Sequence, residues 1–234
     1  MKNDGFDRRA FLKSAVAGGA AAATVAIPQT AQAQPAAAPG TASAGYTFFN
    51  PEEAAFVEAL VDHMVPADAL TPKGTDLGLN TFIDRALAGG WGKGDRLYMQ
   101  GPWKPGVPSQ GYQLPLTPAE LYRNGIIAAN AHCVKTYKRT FDKITEAERE
   151  EFLLALQAGK VTFENGPPAR AFFTQAYQTV MEGMFADPMY GGNKNKAGWK
   201  LIGFPGVIAV NYQNVEKFRD KPFPHNPVSI TDMS

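Results

Sequence analysis

Thr117-Pro118-Ala119-Glu120-Leu121-Tyr122-Arg123-Asn124-Gly125-Ile126 holds the pattern that decides the fold class. Thr117 and Glu120 stand at capping-box spacing, with proline at the first helical position, so the stretch reads as a helix start. From there Tyr122, Ile126, Ala129, Cys133, Tyr137 and Phe141 recur every three or four residues. That period predicts one continuous apolar stripe on a third helix.

The same signals repeat outward. Thr145-Glu146-Ala147-Glu148 opens a fourth helix with Phe152, Leu153 and Leu156 inside, and Gly159 ends it. A fifth runs from about Pro168 to Phe185, where the pairs Phe172/Phe173, Ala176/Tyr177, Val180/Met181 and Met184/Phe185 predict a broad apolar face. Upstream, Asn50-Pro51-Glu52-Glu53 begins a first helix bearing Phe56, Val57, Leu60, Val61 and Met64, which Pro66 stops. A second helix is predicted from about Gly78 to Leu87, carrying Phe82, Ile83, Ala86 and Leu87. Gly89 to Gln113 and the C-terminal segment are too rich in glycine and proline for regular elements, apart from a short apolar stretch from Leu201 to Val210. No strand-like alternation is long enough to suggest a sheet. The expectation is all-α: an irregular helical domain of about five helices with long Gly/Pro/aromatic-rich loops.

The first residues read differently. Arg8 and Arg9 are followed by Phe11 and Leu12 at twin-arginine spacing, then by a mildly apolar Ala/Gly-rich run from Ser14 to Ile27. Ala31-Gln32-Ala33 supplies small residues for cleavage before Gln34. The run is too short and too weakly apolar to serve easily as a membrane anchor. Residues 1–33 are therefore expected to be a Tat signal peptide, 34–45 a disordered linker of small residues, and 46–234 one helical domain with an extended C-terminal segment. Export to the periplasm follows as an expectation.

Charge and cysteine narrow the function. Net charge is +1, and a leader with four basic and two acidic residues would leave the remainder near −1. That balance argues against nucleic acid and against a polybasic route to a membrane. Cys133 is the single cysteine, which excludes an intramolecular disulfide, a C-x-x-C-H haem site and an iron–sulfur cluster. Two readings stand for Cys133: a buried core thiol on the third helix, or an intersubunit disulfide in an oxidising compartment.

Catalytic and metal motifs are missing from the sequence. There is no P-loop or G-x-S-x-G elbow, and Gly90-Trp91-Gly92-Lys93-Gly94 lacks both the spacing and the preceding strand of a dinucleotide loop. His63, His132 and His225 form no pair at metal-ligand spacing. His63 reads as a favourable charge near a helix C-terminus, and His132 as structural or surface. Glu52, Glu53, Asp62, Glu146, Glu148, Glu150 and Glu151 lie mostly at helix starts or on polar faces, where solvated charge explains them. No catalytic, cofactor-binding or metal residue is assigned to this chain.

The most unusual segment is Asp187 to Gly206. Tyr190, Gly191, Gly192, Asn193, Trp199, Lys200 and Phe204 are its interface candidates: a glycine turn, Asn residues suited to left-handed geometry, aromatic anchors and basic charge. The alternative is an elaborate loop packed on the core by Trp199 and Phe204.

Asp187-Pro188-Met189-Tyr190-Gly191-Gly192-Asn193 followed by Gly198-Trp199-Lys200-Leu201-Ile202-Gly203-Phe204-Pro205-Gly206 resembles the gluconate 2-dehydrogenase subunit 3 family. The Asn50-Pro51-Glu52-Glu53 start, Gly101-Pro102-Trp103, Gly111-Tyr112-Gln113, Glu120-Leu121-Tyr122-Arg123 and the twin-arginine leader agree, extending the likeness over most of residues 46–212. The resemblance implies a non-catalytic small subunit that serves the Tat export, folding and stability of a partner. That partner would be a large FAD-containing dehydrogenase subunit, with a multihaem cytochrome c subunit (haem c) as a further partner. Localisation would be periplasmic and peripheral to the inner membrane, with membrane association only through partners. From the residues alone, a stand-alone periplasmic enzyme or binding protein using Gly89–Gln113 and Tyr190–Gly206 as a ligand pocket is the competing expectation.

Overall fold

The computed structural model describes residues 45–104, 106–107, 110, 112–207, 213–223 and 226–233. Arg8, Arg9, Phe11, Leu12, Ala31, Ala33, nearly all of the linker, Gly111 and His225 lie outside them.

Each predicted helix forms, four of them within a residue or two of their expected bounds and the third ending four residues before Phe141. They are α1 (Pro51–Met64), α2 (Leu79–Ala88), α3 (Pro118–Tyr137), α4 (Glu146–Gln157) and α5 (Ala169–Phe185). Two short helices, α6 (Ala197–Ile202) and α7 (Asn214–Lys217), join them, so the expected count of about five rises to seven among the described residues. Both occupy stretches whose glycine or polar content hides them from a periodicity argument. No strand forms there; Gly206 and Val228 make one isolated parallel bridge.

Local chemistry explains the starts. Asn50, Thr117 and Thr145 each accept a hydrogen bond from the backbone N–H three residues on, while the carboxylates of Glu53, Glu120 and Glu148 accept one from the backbone N–H of the cap. These reciprocal boxes satisfy N–H groups that the first turn leaves unpaired. The α3 stripe ends earlier than its period suggests. Lys138 turns into left-handed geometry at φ 64° and closes the helix. Phe141 is still buried, but from a separate 3-10 turn, Phe141–Lys143, whose amide is held by Asn130 Oδ1 at 3.0 Å.

The core gathers aromatic rings from separate elements. Phe56 of α1 lies 4.5 Å from Phe141 and 6.1 Å from Phe172 of α5, between ring centroids. Phe141 in turn meets Phe152 of α4. Tyr122 of α3 is fully buried, and its hydroxyl bonds Thr179 of α5. Burial pushes that phenol above its ordinary pKa, so it stays neutral. α5 contacts α2, α3 and α4, which makes it the central packing partner of the bundle.

Two buried charges organise the beginning of the domain. Asp84 of α2 is 2% exposed. Its Oδ2 accepts from the Thr47 amide at 2.8 Å, and its Oδ1 from Phe48 at 2.8 Å and Phe49 at 3.0 Å. Glu53, 3% exposed, pairs with Arg123 Nε of α3 at 2.8 Å. The same guanidinium donates to the Phe48 carbonyl at 3.1 Å and lies 4.3 Å over the Phe48 ring. Glu53 is thus a buried, bonded carboxylate, not the solvated helix-start charge expected from its position.

Asp84→Asn keeps one acceptor oxygen but turns an N–H₂ towards the backbone donors. The expected loss is about 2–3 kcal/mol, seen as a fall in Tm of roughly 4–12 °C for a domain of this size. A thermal unfolding curve superimposable on wild type would contradict this role for Asp84.

Candidate functional site

The Asp187–Gly206 segment begins where α5 ends, and its residues are used mainly to join helices. Asp187 Oδ1 accepts from the Met189 amide at 3.0 Å and Oδ2 from the Ile230 amide at 2.9 Å. Asn193 is fully buried with φ 47° and ψ 40°, a left-handed geometry that asparagine tolerates. Its Nδ2 donates to the Ala186 carbonyl at 2.8 Å, beyond the last turn of α5. Its Oδ1 accepts from the Gly198 amide at 2.8 Å, in the first turn of α6. One amide group therefore caps one helix end and fixes the next helix start.

Glycine is required where this lock touches α5. A Cβ on Gly192 would stand 2.4 Å from the Gly183 carbonyl oxygen, and one on Gly198 would stand 2.1 Å from that of Met184. Both distances are below any real contact, and the obstacle is backbone. Trp199, 4% exposed, seals the junction: its indole N–H donates to the Phe185 carbonyl at 2.7 Å. Phe204 meets the indole edge-on at 5.3 Å. The Lys194 amide donates to Leu77 O at 3.1 Å, bringing in the approach to α2. Lys196 donates to Pro227 O at 3.0 Å and pairs with Asp232, so the C-terminal segment is strapped over the loop.

Among the interface candidates, Gly192, Asn193 and Trp199 thus point inward, while Gly191 and Phe204 are half-buried. Tyr190, 53% exposed, and Lys200 remain on the surface, joined by Met189, Leu201 and Ile202. The packed-loop alternative describes the first group and the surface reading the second.

Cys133 is fully buried on α3, and burial pushes its thiol pKa up to about 12. A bond to another chain would require α3 to unpack first. His63 Nε2 lies 2.8 Å from Glu150 Oε2, bridging α1 and α4, an ion-pair geometry that its place near a helix end did not reveal. His132 stacks on Phe152 at 5.3 Å, and burial, then Lys135, lower its pKa. Among the described residues, no group of three or more His, Cys, Asp or Glu could hold a metal ion, and no helix is long and apolar enough to cross a membrane.

Three surface cavities take their walls from elsewhere than the two long loops. The first, about 250 Å³, is lined by α1 and α3 around Glu53 and Arg123. The second, about 560 Å³, lies around Asp62, Lys73 and Arg149. The third, about 640 Å³, is built by residues 158–170.

The larger uncovered features are helix faces. On α5 only one member of each predicted pair is buried: Phe172, Ala176, Val180 and Met184 face inward. Adjacent residues lie about 100° apart on a helix, and the neighbouring helices cover one side only. Tyr177 stays 49% and Met181 38% exposed, with Phe173 half-buried. On α3, Ile127, Ala131 and Val134 form a second exposed apolar row.

The fold and the loop together define an all-α protein whose signature segment is a structural lock on its central helix. The chain belongs to the gluconate 2-dehydrogenase subunit 3 family, whose model matches residues 51–206. No curated protein and no solved structure gives a match. The family's description is that of a subunit of an oxidoreductase complex, so membership implies partner subunits. The matched span opens at the first residue of α1 and closes at the Gly206–Val228 bridge, taking in α1 to α6 and the lock.

Two outcomes follow. Asn193→Ala leaves the Ala186 carbonyl and Gly198 amide without their partner and strains φ; a loss of about 3 kcal/mol is expected, measurable by denaturant unfolding. Asn193→Gly removes the strain but not the lost bonds, and should fall between Ala and wild type. Separately, native chain should react with a thiol reagent at Cys133 only as fast as it unfolds. A Cys133-dependent shift on a non-reducing gel of native material would overturn the core-thiol assignment.

Proposed function

We propose that this chain is the small, non-catalytic subunit of a periplasmic FAD-dependent dehydrogenase complex of the gluconate 2-dehydrogenase type. Its role is to carry the Tat export signal for the flavoprotein subunit and to support that subunit's folding and stability. The observation that carries the reading is the family match over residues 51–206. Three features support it. Arg8, Arg9, Phe11 and Leu12 have twin-arginine spacing, with Ala31 and Ala33 as the cleavage pair. Asp84, Glu53 and Asn193 are buried and, with Arg123 beside Glu53, are engaged in holding helices together. The outer sides of α3 and α5 each carry an uncovered apolar row, as a protein that completes itself against a partner requires.

In this reading FAD belongs to the large subunit, haem c to a multihaem cytochrome c subunit, and the chain meets the membrane only through them. Tat transport passes folded proteins, so a leader on this chain can serve a cofactor that another chain holds.

Co-expression of this chain with the dehydrogenase subunit of its own organism tests the proposal. Replacing Arg8 and Arg9 with Lys should strand both proteins, and the flavin, in the cytoplasm, with periplasmic dehydrogenase activity down at least about tenfold. Normal export and activity of the flavoprotein in the absence of this chain would overturn it. Purified alone and showing saturable turnover, the chain would instead be the stand-alone enzyme.

A further inference from the structure

The outer face of α5 lacks charge over three turns. Between Arg170 and Glu182 the sequence Ala171-Phe172-Phe173-Thr174-Gln175-Ala176-Tyr177-Gln178-Thr179-Val180-Met181 has no charged residue, although part of it faces solvent. By contrast, α4 exposes Glu146, Glu150 and Glu151. An exposed helix face without charge has neither the solubility nor the ion pairs that usually occupy such a surface.

The residues present are those that protein interfaces favour. Phe173, Tyr177 and Met181 follow one another at four-residue spacing, so they form a single row. The Phe173 and Tyr177 rings are stacked at 6.2 Å with planes 15° apart, which makes a flat aromatic shelf. Met181 continues it with an adaptable apolar chain. Beside the row, the Thr174 hydroxyl is already bonded to the Arg170 carbonyl at 2.9 Å. Aromatic and Met enrichment with charge depletion is the compositional mark of an interface core. The row on α3, Ile127, Ala131 and Val134, is uncharged too but offers only small or branched aliphatic groups.

Size points to the occupant. The row spans two turns, about 12 Å, and is one side chain wide. Two copies meeting only through it would bury far less than the roughly 1,600 Å² of a standard stable interface. Any stable occupant must therefore be a body that continues beyond the row over the neighbouring surface. Family membership supplies such a body, since it implies partner subunits.

We infer that the uncharged outer face of α5, centred on Phe173, Tyr177 and Met181, is the seat of the dehydrogenase subunit. This rests on the proposed function and names the surface that performs it. The matching surface is uncharged and apolar, because an opposing charge would lose water without gaining a partner.

The test uses the full chain co-expressed with the dehydrogenase subunit of its own organism. The double substitution Tyr177→Asp, Met181→Asp places charges at exposed positions, where the isolated domain should keep its Tm within a few degrees. Co-purified flavoprotein, read by flavin absorbance, should fall at least about tenfold. A photo-crosslinking benzophenone side chain in place of Tyr177 should give an adduct of this chain with the flavoprotein. Undiminished co-purification by the double variant overturns the inference, as does an adduct between two copies of this chain or no adduct while the flavoprotein still co-purifies. Failure of the wild-type chain to retain the flavoprotein overturns the proposed function itself, which separates the two claims.

Discussion

Asp84 cannot be buried at 2% exposure unless its carboxylate is fully bonded, and the groups that bond it are three successive backbone amides, Thr47 to Phe49. A desolvated charge without partners would cost several kcal/mol. The start of the domain is therefore drawn onto α2, and Phe49 is placed in the core. Asn50 follows directly as the cap of α1, so the start of that helix is positioned by the same contact. Arg123 completes the arrangement from α3 by holding Glu53 and the Phe48 carbonyl. Three helices are thus fixed relative to one another where the chain enters the fold.

A comparable economy governs the other end of the bundle. The segment that carries the resemblance to the family places its most distinctive members, Gly192, Asn193, Gly198 and Trp199, where backbone meets backbone. Their identities follow from sterics and from the bonding of helix ends. Function, in the proposed reading, falls to the less distinctive outward positions. Residues of this kind specify how the scaffold is built.

Much of this was legible in the sequence because it is local chemistry. Capping signals placed the starts of α1, α3 and α4, and the period of apolar residues placed their inward faces. What escaped was whatever depends on a distant residue. Glu53 looked like an ordinary first-turn acid; only Arg123, far along the chain, makes it a buried ion pair. Asp84 carried no signal, since one acid within an amphipathic pattern reads as a surface charge. Phe141 fell in phase with the α3 stripe yet lies beyond the turn at Lys138, because burial at that spacing does not require an unbroken helix.

The pairs on α5 show the division most clearly. Side-chain period and propensity, which act within a few residues of chain, are enough to make this segment a helix with two adjacent apolar columns. Which column is buried depends on contacts with helices distant in the chain. Phe172, Ala176 and Val180 face the neighbouring helices, while Tyr177 and Met181 stay in solvent. The physical reason is that hydrophobic burial is non-directional: both columns offer apolar surface, and the choice belongs to the helices that pack alongside.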